Sequence, residues 1–345
     1  MTDRAGGAVV RPARILVWLS GALGDTLLGF PALRAIRAWA PGATITVVGR
    51  PAYLILARDI GLINVVEGVD DLFASQAFVG AHSASLPFDV AIVWSSAHQQ
   101  IADWLEGSGV FAVSHAPPRG ADRRHQARYL LDTLASFEIQ SPVRLPTRSA
   151  IRRLTGHVEV TAEAQVARRV LLHPGAGARW KRWPLDHYLT LAEQLQRAGA
   201  DVHWSVGPAD GDLQTALAIR AVPGTVHVDL SLQELVTLLA GSSGLVSADT
   251  GIAHLAALLR VRSVTVFAPT DPLRWRPLGK RAVVVRAAAR CGGAWALNVG
   301  SAETSAEMAL RRCADQSLDS CPCLAALNTD VVFHRLQRCL SRAGT

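Results

Sequence analysis

Three short segments of this chain place glycine beside charged or hydroxyl-bearing residues where an apolar run ends. The first is Ser20-Gly21-Ala22-Leu23-Gly24-Asp25-Thr26. Its glycines permit a tight turn and close approach of a sugar, and Asp25 could either cap a helix or serve as a carboxylate base. The second is His173-Pro174-Gly175-Ala176-Gly177, continued by Arg179-Trp180-Lys181-Arg182-Trp183-Pro184. A glycine-rich turn with backbone N–H groups at Gly175 and Gly177, followed by Lys181, suits a diphosphate leaving group; an ordinary turn with an exposed lysine is the plainer alternative. The third is Ser247-Ala248-Asp249-Thr250-Gly251-Ile252-Ala253-His254. Asp249 or Thr250 can cap a helix there, Gly251 lets a phosphate approach the backbone, and His254 lies one turn in, within reach of a phosphate oxygen. Downstream, Ala268-Pro269-Thr270-Asp271-Pro272 offers the Thr270 hydroxyl as a further donor.

Positioning these loops calls for stacked strand–helix units. Runs rich in Val and Ile alternate with stretches of helical period, the pattern of parallel sheets covered on both faces. Strands are expected over 14–19, 44–49, 89–94 and 110–113, then over 170–173, 201–206, 225–229, 244–247, 263–268 and 282–286. Pro31 lies deep in the first helical stretch and predicts a late start or a kink. Pro184 should start a helix with Leu185, Tyr188, Leu191 and Leu195 inward, and Asn328-Thr329 should cap a last helix with Val332, Leu336 and Leu340 on one face. The division is therefore a Rossmann-like domain over 1–150, a second Rossmann-like domain over 160–325, and a helix over 326–345 packing back on the first. A linker is expected within 141–156, and the two domains should face each other across an interdomain cleft. A length of 345 residues, half of them hydrophobic, supports two cores.

Lysine and arginine outnumber aspartate and glutamate by 35 to 28, a net charge of +7, which favours an anionic partner. Several classes fall away. Gly21 and Gly24 do not make G-x-G-x-x-G, and Arg50 rather than an acid follows the second strand, which argues against a dehydrogenase. There is no Walker A lysine. No D-x-D sits at a strand end to hold a divalent ion, so neither metal nor cofactor is expected. Five cysteines, all from Cys291 onward, suit reduced thiols rather than a secreted disulfide framework, and Cys313, Cys321 and Cys323 lack the paired C-x-x-C spacing of a zinc site. The short apolar run at 15–19 is neither leader nor span, so the chain reads as cytoplasmic. Arg119, Arg123, Arg124 and Arg128 around His125 suggest either a basic helical face for acidic sugars and phosphates or a solvated surface. Without an aromatic platform they do not suggest nucleic acid.

In order and spacing, S-G-A-L-G-D-T, H-P-G-A-G…K-x-W-P, S-A-D-T-G-x-x-H-L-A and F-A-P-T-D-P resemble the ADP-heptose:lipopolysaccharide heptosyltransferases, over about residues 15–286. The resemblance implies a GT-B fold and inverting transfer of heptose from ADP-heptose to a lipopolysaccharide core acceptor. Asp25 would be the general base, with Gly24 beside it on the acceptor side. Lys181 would neutralise the donor diphosphate, with Asp249, Thr250, Gly251, His254 and Thr270 lining the donor pocket. Asp210 and Asp212 would contact the nucleoside, though the family's commoner residue there is glutamate. The acceptor would be an acidic glycolipid held in part by Arg123, Arg124 and Arg128, with peripheral contact at the inner face of the cytoplasmic membrane. Other readings are a GT-B transferase or epimerase using another nucleotide sugar, or a non-catalytic nucleotide-sugar-binding protein.

Overall fold

The computed structural model describes residues 11–71, 74, 77, 86–115, 122–155, 168–268, 270–287 and 320–341. Cys291 and Cys313, Arg119 and Pro269 lie outside the described residues.

Eleven strands are present among them: β1 (Arg14–Leu19), β2 (Thr44–Gly49), β3 (Val65–Gly68), β4 (Val90–Trp94), β5 (Phe111–His115), β6 (Arg169–His173), β7 (Asp201–Val206), β8 (Thr225–Val228), β9 (Gly244–Ala248), β10 (Arg262–Phe267) and β11 (Ala282–Arg286). The helices are α1 (Leu23–Trp39), α2 (Pro51–Asp59), α3 (His98–Gly107), α4 (Gln126–Asp132), α5 (Arg148–Thr155), α6 (Leu185–Arg197), α7 (Gly211–Ile219), α8 (Leu232–Ala240), α9 (Gly251–Leu258), α10 (Pro272–Trp275), α11 (Pro322–Ala325) and α12 (Thr329–Ser341).

The strands form two wholly parallel sheets, in the orders β3-β2-β1-β4-β5 and β11-β10-β9-β6-β7-β8. Each sheet starts at its centre, grows outward, then returns to the other side of its first strand. In the second sheet the reversal falls between β6 and β9, and ligands of such sheets collect beyond the strand C-termini at that point. The fold class is thus α/β with two Rossmann-like sheets, as expected. The short edge strand β3 was not expected.

By their contacts the residues divide into two compact units, the first from 1–22, 29–118 and 127–144, the second from 23–28, 119–126 and 145–345. In the first, Leu16, Trp18, Ala91 and Val93 of the sheet pack with Ile101, Trp104 and Leu105 of α3. In the second, Val170, Leu172, Val202 and Trp204 pack with Tyr188, Leu191 and Leu195 of α6, which begins at Pro184 as its sequence predicts.

Two expectations need correction. α1 starts at Leu23 and continues past Pro31, which removes the late start of the two alternatives offered by Pro31, and Asp25 lies in its first turn as a helical residue and not as its cap. In α12, Val332 and Leu336 are buried in the second unit's core, against the sheet that also carries α6, so the helix's apolar face is engaged there rather than on the first domain. Asn328 caps it, its side-chain oxygen accepting from Asp330 N at 2.8 Å.

Candidate active site

Beyond the C-termini of β6 and β9 three loops of the second unit converge. The loop after β6 tightens into a 3₁₀ turn, Arg179–Lys181. Lys181 Nζ reaches Asp249 Oδ2 at 3.1 Å and stands 5.6 Å from the centre of the Trp180 ring. Asp249 directly follows β9, and the same carboxylate oxygen accepts from Thr270 Oγ1 at 2.8 Å. Lys181, Asp249 and Thr270 are therefore brought together as the motifs foretold, although a carboxylate now sits inside the cationic site. Thr250 occupies the cap position of α9 without a side-chain hydrogen bond to the helix. The first N–H groups of α9 accordingly face the loop cluster without a hydroxyl cap, and a helix start favours negative charge.

His254 sits one turn into α9, 7% exposed. Burial, opposed by Asp249 but assisted by the charges of His125 and Lys181, pushes its pKa down to about 4. Its imidazole is neutral at physiological pH and offers a hydrogen bond rather than a charge. A Cβ added at Gly24 would lie 3.2 Å from His254 Cδ2, and one added at Gly251 only 2.8 Å from Leu23 Cβ. These two glycines let the starts of α1 and α9 meet closely, and half-buried Asp25 lies in the first turn of α1, directly after Gly24.

Other expected residues have different work. Arg182, 6% exposed, donates through Nη2 to Asp210 Oδ1 at 2.8 Å and through Nη1 to Asp212 Oδ2 at 2.6 Å. Asp210 also accepts from Gly207 N at 3.2 Å. Both carboxylates thus hold Arg182 and the neighbouring loops, which removes the basis for assigning them to a nucleoside. Gly175 is buried, and an added Cβ would fall 2.1 Å from Asp210 Oδ2, so glycine is required there by Asp210. Gly177 is exposed with nothing within 4 Å of an added Cβ, leaving its backbone approachable. His173 is held through Nδ1 by Ser205 O at 2.9 Å, the contact of a structural strand-end histidine.

The arginines do not form one helical face. Arg123 and Arg124 precede α4, and only Arg128 lies in it. Each meets a carboxylate: Arg123 with Asp271 at 2.8 Å, Arg124 with Asp122 at 2.7 Å, Arg128 with Asp132 at 2.7 Å. Hydrogen bonding from Arg124 draws Asp122 down to about 2.

Among the described residues no cluster of three His, Cys, Asp or Glu side chains could hold a metal ion. Cys321, Cys323 and Cys339 are buried and in no disulfide. Sequence reading missed Arg182 as a structural centre and Ser320, whose Oγ donates to Arg182 O at 2.7 Å. The only available signal was an arginine inside an otherwise ligand-like motif.

With this geometry in view, residues 132–294 match the family model described as glycosyltransferase family 9 (heptosyltransferase). This segment, a little under half of the chain, is similar to glycosyltransferase family 9. Curated relatives agree: lipopolysaccharide heptosyltransferase 1 of Escherichia coli is 33% identical over 111 residues, 31% of this chain and 34% of that protein. Its namesake in Pseudomonas aeruginosa is 36% identical over 106 residues, 30% of this chain and 29% of that protein. The matched stretch spans about a third of these relatives. Solved structures extend the likeness in fold: a family 9 glycosyl transferase from Veillonella parvula aligns with TM-score 0.69 at 15% identity, over 95% of this chain and 97% of its own. The E. coli heptosyltransferase WaaC with ADP aligns with TM-score 0.67 at 17% identity, over 94% and 99%. The GT-B fold of the family's structures is therefore this chain's fold. Among the described residues no helix is long and apolar enough to cross a membrane.

Proposed function

We propose that the chain is an inverting glycosyltransferase that moves heptose from ADP-heptose to an acidic, lipid-anchored lipopolysaccharide core saccharide. The observation carrying this reading is the meeting of Lys181, Asp249 and Thr270 at the point where the second sheet reverses, beside the start of α9. The family's name and the ADP in the WaaC structure supply the sugar and the nucleotide.

In this mechanism the acceptor hydroxyl oxygen attacks the anomeric carbon as the bond to the diphosphate oxygen breaks, and the hydroxyl proton passes to the Asp25 carboxylate. The charge gathering on the leaving ADP is met by Lys181, by the first N–H groups of α9 and by the Gly177 backbone. Lys181 exchanges Asp249 for phosphate oxygens earlier, when the donor enters. Neutral His254 adds a hydrogen bond without a further charge. Single displacement inverts the anomeric centre. These cationic and dipolar groups take the charge of the leaving diphosphate without a divalent ion. The acceptor's lipid anchor requires the enzyme to work peripherally at a membrane surface.

Isothermal titration with ADP, UDP and GDP in chelator tests the donor assignment. Preference for ADP, weakened at least tenfold in Lys181→Ala, is the expected result; absence of nucleotide binding would remove the donor site. Asp25→Asn should retain ADP binding and lose transfer, and full transfer by that variant would remove Asp25 as base.

A further inference from the structure

At the opposite edge of the second sheet, where β6 and β10 begin, lies a cavity of about 810 Å³, also bounded by α12. Arg168, Arg262 and Arg338 line it together with His334, and no carboxylate occurs among its described lining residues. Arg168 and Arg338 are exposed, and among the described residues neither forms an ion pair. Val170, Leu195 and Leu340 give it apolar wall. The positive charge extends beyond the cavity: Arg281 is held below its ordinary value first by burial, then by the charges of Arg262, Arg148 and Arg260. Arg168, whose Nη1 donates to Ala198 O at 3.4 Å, and Arg338 bring two exposed positive charges to one cavity with no ion pair among the described residues, a setting that favours an anion.

We infer that this cavity receives the phosphate-bearing head groups of an anionic lipid surface. Arginine forks match phosphate oxygens, and a mouth rimmed by exposed guanidinium groups is drawn to a negatively charged membrane. The volume and the apolar wall exceed what a free phosphate ion fills, and they suit the glycerol and upper acyl portion of a lipid. The site is separate from the strand C-termini, so its assignment stands or falls independently of the donor reading.

The test is co-sedimentation of the full chain with phosphatidylcholine vesicles, with and without phosphatidylglycerol, at low and high salt. Wild type, Arg168→Glu/Arg338→Glu and the milder Arg168→Gln/Arg338→Gln are compared, with ADP titration and thermal melting confirming that each is folded. Binding only to the anionic vesicles, weakened by salt and at least about tenfold weaker in the charge-reversed variant, is expected, with the glutamine variant intermediate. Equal binding by all three proteins, or no binding to anionic vesicles, overturns the inference. So does complete displacement from vesicles by micromolar glycerol 3-phosphate, which would make this a small-molecule phosphate site.

Discussion

Arg182 and Asp210 form a buried ion pair, Nη2 to Oδ1 at 2.8 Å, with both side chains 7% exposed. The pair joins the loop bearing Lys181 to the loop after β7, and the second guanidinium nitrogen extends it to Asp212. Breaking one side strands the other charge out of water, which typically costs about 3–5 kcal/mol. Arg182→Ala should therefore lower unfolding free energy by that order in urea titration, and Asp210→Asn by a smaller amount, because the amide oxygen still accepts. Loss below about 1 kcal/mol for Arg182→Ala would mean that the pair contributes little. A local effect on Lys181 would appear as ADP affinity falling in Arg182→Ala under conditions where the protein remains folded.

Gly175 tests the same centre sterically. A methyl group there would stand 2.1 Å from Asp210 Oδ2, and that carboxylate is tethered by Arg182 and cannot swing aside. Overpacking of this kind costs about 1–3 kcal/mol. Gly175→Ala should melt earlier than wild type, whereas Gly177→Ala, with open space around its added methyl, should melt with it. Equal melting of the two variants would contradict the packing.

These residues show where sequence reading succeeds and where it fails. The strands β1, β2 and β6 were legible because each is a near-continuous apolar run buried on both faces of a parallel sheet, and β7 because Val202, Trp204 and Val206 alternate with polar residues. The meeting of Lys181, Asp249 and Thr270 was legible because each follows a strand in a glycine- or proline-containing turn. β3 was not, since Val65–Gly68 offers four residues and one charge. Arg182, Asp210 and Asp212 were illegible for another reason: the partners lie 28 and 30 positions apart, and a carboxylate that fixes a loop looks the same in one dimension as one that binds a nucleoside. Likewise Arg123 looked available for an acceptor, yet its partner Asp271 is 148 positions away.

The Asp249 carboxylate lies within the cationic site, 3.1 Å from Lys181 Nζ. In the proposed mechanism a diphosphate entering there meets that negative charge as well as the lysine. At an effective dielectric near 20, a unit charge several ångströms from a phosphate is worth about 1–3 kcal/mol. Asp249→Asn, which keeps an oxygen for the Thr270 hydroxyl, should bind ADP about tenfold more tightly, with steeper salt dependence. Unchanged or weaker ADP binding by titration would show that Asp249 serves chiefly to aim Lys181.

His254 makes folding stability depend on pH. Its folded pKa of about 4 lies below the ordinary 6.5, with burial as the first cause. Between these values the unfolded chain binds more protons than the folded one, so stability falls as pH drops from about 6.5 towards 4 and the loss levels off below. A shift of this size corresponds to about 3 kcal/mol. Carboxylates titrate over part of the same range, so the decisive quantity is a difference between proteins. His254→Asn should lose less stability than wild type between pH 7 and pH 4.5 in urea titration. Parallel losses in the two proteins would place the acid sensitivity elsewhere and show that His254 protonates as readily in the fold as out of it.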